Sequence, residues 1–468
     1  MENNIKQNKC VISPRFIEIS HKCSNVFLSN YFFIALFILA CTITITQNEV
    51  IGAVIFAMII CLALIICDDI FATTLPFLLL CVFVTRCYDS FDIFIKFAPL
   101  AIVAIFSILF HFIVFKQKII IGNTFLGLVA VSLALLCGGI GYIDPKNYFC
   151  SSSLYYTIFL GIGMTIFYLL FKSQLLVTRK YSASKKLATI LYIMGAFACV
   201  VVLFIVYQAR LQSLSHNNII YQPSNNLSTF LLFALPCPFF FARTNRLHII
   251  SPFLFYFCIL IIHSRGGILM GTILLSVCII LFAIYDRNNR IIYIITLSVF
   301  ICITSIVALS YFEKIFDYTI TNFFNFNDPR VLMMTRGLKG FPKYPIFGHG
   351  LGHTGNLDLY SPVKGAMKWY HMIIPQIVAS LGIIGILAYG YQLFLRIKTV
   401  INAIKIETNR DRCATIALFL SYIGVLLMSQ VNPGLFCPLP YSLIAVMIFA
   451  VLDGKADYKT ILLNIKKR

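Results

Sequence analysis

Apolar runs of about 16–22 residues recur some fourteen times between residues 27 and 452, separated by short polar hinges. That is the length at which an α-helix crosses the hydrocarbon of a bilayer, whereas a spanning β-barrel shows shorter segments of alternating polarity. Lipid offers no partner to backbone N–H and C=O groups, so segments of this kind must satisfy themselves as helices. Composition agrees: 60% of the 468 residues are hydrophobic and only 12% charged, where a soluble domain is about one quarter charged. Mean hydropathy is +0.91. The expected fold is all-α, a polytopic transmembrane helical bundle of about 12–14 spans, with one large extracytoplasmic loop containing short helices. The shortest runs, 70–85 and 228–242, contain Pro76, Pro236 and Pro238.

The net charge of +20 comes from 37 Lys and Arg against 17 Asp and Glu. In a soluble chain such an excess would suggest nucleic acid. Here the basic residues sit in hinges, no dense basic stretch carries interleaved aromatics, and no nucleic-acid partner is expected. With the N-terminus inside, 25 of the 37 fall in cytoplasmic segments and 12 outside, the bias expected of a membrane protein. Both termini are therefore expected in the cytoplasm. The predicted organisation is an N-terminal segment 1–26, transmembrane helices over 27–310, an extracytoplasmic loop 311–371, C-terminal transmembrane helices over 372–452, and a cytoplasmic tail 453–468.

The 16 cysteines lie mostly inside apolar runs, where a thiol behaves as a small apolar group. No Cys-x-x-Cys pair occurs. Polar residues precede the first apolar run without a small-residue cleavage pattern after it, so no removable signal is expected.

Chemistry-bearing residues gather in few places. His263-Ser264-Arg265-Gly266-Gly267 forms a tight turn between two spans. A guanidinium there either snorkels to the interface or serves a function, and the turn alone does not decide. Asp328-Pro329 reads as a helix start, ended by Gly340 and Pro342, and Arg330 falls in its first turn. Free N–H groups there favour an anion, although Arg330 also fits a solvated basic residue. His371 precedes the next span, where an imidazole can accept a proton or simply pack. His349 and His353 are four apart in a glycine-rich stretch without a third ligand, so no metal site is expected.

Several pieces taken together resemble the O-antigen ligase/polymerase family of bacterial membrane glycosyltransferases. Asn225-Asn226 is similar to that family's Asn-x-Asn segment, and the turn at Ser264-Arg265-Gly266 to its Ser-Arg-Gly turn. Arg330 followed by Pro345-Ile346-Phe347-Gly348-His349-Gly350-Leu351-Gly352 looks like the Arg…Pro-x-x-Gly-x-Gly stretch of its large loop. Tyr370-His371, Gln376 and Leu381-Gly382-Ile383-Ile384-Gly385 resemble the loop exit and next helix. The sequence departs from the pattern at Ser380, where the family often has an acid, and in its two adjacent asparagines.

The resemblance implies transfer of a glycan from an undecaprenyl-diphosphate carrier to an acceptor hydroxyl, with inversion and without cofactor or metal. It implies a bacterial inner-membrane enzyme working on a lipid-linked glycan donor and a glycan or lipid acceptor, alongside chain-length regulators or other polysaccharide-assembly proteins. By the same resemblance, His371 is the candidate base, and Arg265 and Arg330 are the candidate diphosphate ligands. Arg336 and Arg210 are lesser ones, and Asn226, Gly348, Gly350 and Gln376 are candidate substrate contacts. Polymerisation of surface-polysaccharide repeat units is the leading expectation, and ligation of finished chains the alternative. A flippase would place ionisable groups at mid-membrane in two related halves, a pattern not seen here.

Overall fold

The computed structural model describes residues 13–86, 98–115, 119–149, 151–175, 183–211, 216–302, 329–351, 369–406, 409–432, 434–436 and 439–466. Among these residues all regular structure is helical. Helix α1 (Pro14–Phe27) begins with Ser13 as N-cap and bends by 59° into α2 (Asn30–Ile45), itself capped by Ser29. Then follow α3 (Glu49–Ile66), α4 (Phe71–Arg86, with Pro76 inside it), α5 (Ala98–Val114) and α6 (Phe125–Ala134). Next come α7 (Ser151–Ile158) and α8 (Met164–Gln174), which a wide turn at Phe159–Gly163 joins into one rod. The centre contains α9 (Ala183–Leu211), α10 (His216–Ala234), α11 (Cys237–Ala242), α12 (Ile250–Ile261), α13 (Arg265–Tyr285) and α14 (290–302). The C-terminal part has α15 (Pro329–Gly340), α16 (Ile373–Ile406), α17 (Asn409–Met428) and α18 (Leu439–Lys466).

Among the described residues six helical segments are long and apolar enough to cross a membrane, the bent α1–α2 pair passes the same test, and six shorter apolar helices of 10–17 residues accompany them. Several apolar runs thus become helices too short for a full span. The run over 118–138 gives only the ten residues of α6 before the helix widens at Leu135–Gly139, a bulge of the kind that frequently marks functional regions.

Helix α9 lies at the centre, packed against α10, α12 and α17, while α3 packs on α4 and α5, and α16 on α6 and α18. Phe197, Phe230, Phe233, Tyr422 and Tyr441 are fully buried among them. Many large apolar side chains also face outward. Along α5, Ile102, Phe106, Leu109 and Ile113 form one exposed stripe, Ile113 being 74% exposed. Such a surface is stable only against lipid.

Polar contacts join the hinges in two sets. In one, the buried Asp453 carboxylate accepts from the Thr124 N–H (3.0 Å), the Thr124 hydroxyl, the Tyr168 phenol (2.6 Å) and the Thr399 hydroxyl (2.9 Å). There too Arg243 lies 3.6 Å from Asp286, which accepts from Asn289. In the other, Ser264 donates to Asn225, Tyr441 to Asn226, and Tyr344 to Asp144. Each contact joins segments that the basic-residue bias puts on the same side.

Helix α1 (Pro14–Phe27) takes up the second half of the expected N-terminal segment 1–26, and α18 runs on through the expected tail as far as Lys466. Of the expected loop 311–371, residues 329–351 and 369–371 are described, and the rest, His353 included, lies outside the described residues.

Candidate active site

The expected span over 372–395 is not one continuous helix. At Gly382 the backbone of α16 turns to φ 61°, ψ −152°, which opens the helical hydrogen-bond ladder. The stretch Pro345–Gly350 fills the opening. The His349 and Gly350 N–H groups donate to the Ala379 and Ser380 carbonyls at 3.0 and 3.1 Å, and the Ile383 and Ile384 N–H groups donate to the Pro345 and Ile346 carbonyls at 2.9 and 3.2 Å. The loop thus replaces the lost partners on both sides of the break, which an interrupted helix in lipid requires.

Glycines make the close approach possible. A Cβ on Gly348 (φ +71°) would lie 2.2 Å from the Ser380 carbonyl carbon, and one on Gly382 would lie 2.5 Å from the Ile346 oxygen. Next to them Leu351 donates to the Gly139 carbonyl at 2.9 Å, and Gly350 backs onto Gly141. The glycine-rich stretch, whose Gly348 and Gly350 were candidate substrate contacts, is buried from Gly348 to Leu351.

His371 sits where this loop re-enters the helix, with a left-handed φ of 52°. A non-glycine residue holds that conformation only where its surroundings fix it, at a cost of order 1 kcal/mol. Just before it, the Tyr370 N–H donates to Gln376 Oε1 at 2.9 Å, and just after it the Ile373 N–H donates to the Ser429 carbonyl at 2.8 Å. Gln376 is itself fixed, its Nε2 donating to the Leu351 carbonyl (3.1 Å) and to Ser380 Oγ (2.8 Å). Ser380, the position where an acid was expected from the resemblance, is therefore a buried acceptor in this chain.

Arg265 is the first residue of α13 and is exposed, beside another left-handed residue, His263 (φ 56°). Ser264 caps this helix, accepting from the Gly267 N–H at 3.2 Å and donating to Asn225 Oδ1 at 2.9 Å. Gly266 packs on Met428 and Val431, the same turn whose Ser429 holds Ile373. Gly266, next to Arg265, and Ile373, two residues after His371, therefore both rest on one short segment, residues 428–431. Helix α15 starts at Pro329 and ends at Gly340, as the Asp328-Pro329 and Gly340…Pro342 signals predict. It carries Arg330 and Arg336 and seats Gly337 against the Tyr370 ring and Pro375.

Asn226, Gly348, Gly350 and Gln376 all have internal roles, Asn226 accepting from the Tyr441 phenol through both its carbonyl (3.0 Å) and Oδ1 (3.2 Å). Arg210 lies exposed in the last turn of α9. Among the described hydrogen bonds none joins it to the other candidates.

Three residues to which the sequence assigned no role in the site, His349, Tyr370 and Tyr148, complete this end of the bundle. His349 is 2% exposed, its Nε2 2.9 Å from the Tyr370 phenol and its ring 4.1 Å from that of Tyr148. Burial raises the Tyr370 phenol well above its ordinary value, so this group stays neutral. Burial also raises Tyr148, reinforced by Asp144. Lys343 is raised by its hydrogen bond to Tyr344. The crowding of glycines in both stretches was the available signal, since small residues in membranes mark close backbone approach. Among the described residues no group of three or more His, Cys, Asp or Glu side chains is arranged to hold a metal.

This fold and this site define a multi-pass α-helical membrane protein with cationic helix starts and a strained histidine gathered at one end. Residues 250–390 match the family described as O-antigen ligase (Wzy_C). The match supports the O-antigen ligase/polymerase family for this chain, and with it a membrane enzyme of glycan processing. It covers less than a third of the sequence, yet takes in Arg265, Arg330, Arg336, the loop seated in α16 and His371. No curated protein matches the chain.

Proposed function

We propose that the chain transfers a glycan from an undecaprenyl-diphosphate carrier to an acceptor hydroxyl at the outer face of a bacterial inner membrane, and that it polymerises surface-polysaccharide repeat units. The observation that carries this reading is that Gly266 and Ile373, close in sequence to Arg265 and His371, both rest on residues 428–431, with the arginine-bearing α15 resting on the neighbouring Tyr370.

In this mechanism the His371 imidazole takes the proton of the acceptor hydroxyl as its oxygen attacks the anomeric carbon of the donor. The bond from that carbon to the diphosphate oxygen breaks and the configuration inverts. Negative charge grows on the departing lipid diphosphate. The guanidinium of Arg265, those of Arg330 and Arg336, and the N–H groups at the start of α13 supply complementary positive charge. Asn226, Gly348, Gly350 and Gln376 form the supporting wall, and Arg210 is a peripheral contact to the lipid carrier. Both termini lie in the cytoplasm, following the basic-residue bias.

The test uses the lipid-linked saccharide that accumulates in cells lacking the protein. Purified protein should convert it to longer lipid-linked chains, and Arg265→Ala or His371→Ala should lower turnover at least about a hundredfold. Transfer to a separate lipid or protein acceptor would establish ligation instead. If no lipid-linked saccharide accumulates outside the membrane on deletion, the transferase reading fails in favour of transport.

A further inference from the structure

We propose that His349 and Tyr370 are a positioning pair for the transferase reaction, setting the backbone of His371 and the seat of α15 with one hydrogen bond. The inference rests on the reading of His371 as the base.

The left-handed backbone at His371 needs restraint from its neighbours. Gln376 and Ser429 hold the main chain on either side of it. A further restraint acts through the Tyr370 side chain, whose phenol meets His349 Nε2 at 2.9 Å. His349 is a firm partner. Its N–H is bound to the Ala379 carbonyl in the break of α16, and its ring lies on Tyr148. The geometry of the helix break is thereby carried through His349 to Tyr370, and through one peptide unit to His371.

The same phenol ring carries α15. A Cβ on Gly337 would stand 3.1 and 3.2 Å from two atoms of the Tyr370 ring, so the helix rests directly on the ring. Arg336 is the preceding residue, and Arg330 lies two turns earlier along the helix. A rotation of Tyr370 would displace the base and the arginine helix together. Small misplacements of this kind are costly to rate, because catalytic groups act only within a narrow geometry.

Both residues are too buried to meet a substrate, Tyr370 being 5% exposed, so they act through others. Neither serves the core alone. A buried hydroxyl and imidazole could be replaced by apolar groups of like shape at little cost if packing were the whole requirement.

The experiment measures turnover of the accumulated lipid-linked saccharide by the full-length protein in nanodiscs. Tyr370→Phe keeps the ring on Gly337 and removes only the hydroxyl. It should lower kcat about tenfold while KM stays within about twofold. His349→Ala should do the same, and the double variant should be no worse than either single one. His349→Gln, which offers an amide near the position of Nε2, should recover most of the loss. Wild-type kcat in Tyr370→Phe overturns the inference, as does a double variant whose losses multiply. So does a fall in melting temperature large enough to account for the lost turnover. His371→Ala is run alongside. If it is inactive while Tyr370→Phe is normal, the positioning idea alone fails, and if it keeps turnover, the base assignment fails and this inference with it.

Discussion

Gly348 touches Ser380 backbone to backbone: a Cβ on the glycine would lie 2.2 Å from the Ser380 carbonyl carbon, at a φ of +71°. Gly348→Ala must therefore push the loop out of the break in α16 and leave the Ser380 and Ala379 carbonyls unpaired. The expected loss is about 2–4 kcal/mol. Gly390→Ala in the same helix, where nothing lies within 4 Å, should be neutral or slightly stabilising. Thermal unfolding of the two variants in detergent tests this. Similar melting temperatures would show that the loop is not seated as described.

The cap of α13 is a two-link chain from Asn225 through Ser264 to the Gly267 N–H. Ser264→Ala should cost about 1 kcal/mol, the ordinary loss of an N-cap. Asn225→Ala should cost less, and a double-mutant cycle between them should give a coupling of about 0.5–1.5 kcal/mol. Zero coupling would mean that the Asn225 contact does not help hold the turn that bears Arg265.

At the other end of the bundle, Asp453 accepts from Thr124, Tyr168 and Thr399, tying α18 to α6, α8 and α16. The Nζ of Lys172 is nearby, close enough that a Cβ on Gly122 would lie 2.2 Å from it and 2.7 Å from Asp453 Oδ2. Asp453→Ala strands several buried donors and should cost about 3–5 kcal/mol. Proteolysis of the C-terminal helix should speed up in the variant, and unchanged digestion would count against the network.

Asp69 lies between α3 and α4, accepting from the Phe71 N–H at 2.9 Å. Burial pushes its carboxyl from 3.8 up to about 7, with Asp68 adding to the effect and Lys186 and His21 opposing it. The folded state thus binds this proton more tightly than the unfolded one. The stabilisation is fully present below about pH 4 and is lost as the pH rises through about 7. Between pH 5 and 8 the melting temperature of Asp69→Asn should fall less steeply than that of the parent. Parallel profiles would mean that Asp69 does not carry the pH dependence.

The helices were legible in the sequence because an apolar run in lipid has few alternatives. Helix α15 was legible for a local reason, since Pro329 and Gly340 mark its ends whatever surrounds them. The break at Gly382 was not. Leu381-Gly382-Ile383-Ile384-Gly385 is as apolar as the residues around it, and hydropathy carries no information on a left-handed φ. The His349–Tyr370 bond was invisible for another reason: its partners are 21 residues apart in sequence and meet only because the loop folds back into the helix break. Asp453 looked like the first residue of a tail, because nothing local shows that four hydrogen bonds converge on it.

A practical constraint on engineering follows from the loop seated in α16. The long loop before α16 and the membrane domain of such a protein invite treatment as exchangeable modules, and chimeras between relatives would cut at the predicted membrane boundary near residue 372. Here that cut separates Pro345–Gly350 from Ala379–Ile384, two stretches that complete each other's backbone. A graft that transfers the loop without its matching helix segment would insert an open ladder into lipid. The unit of exchange is the pair.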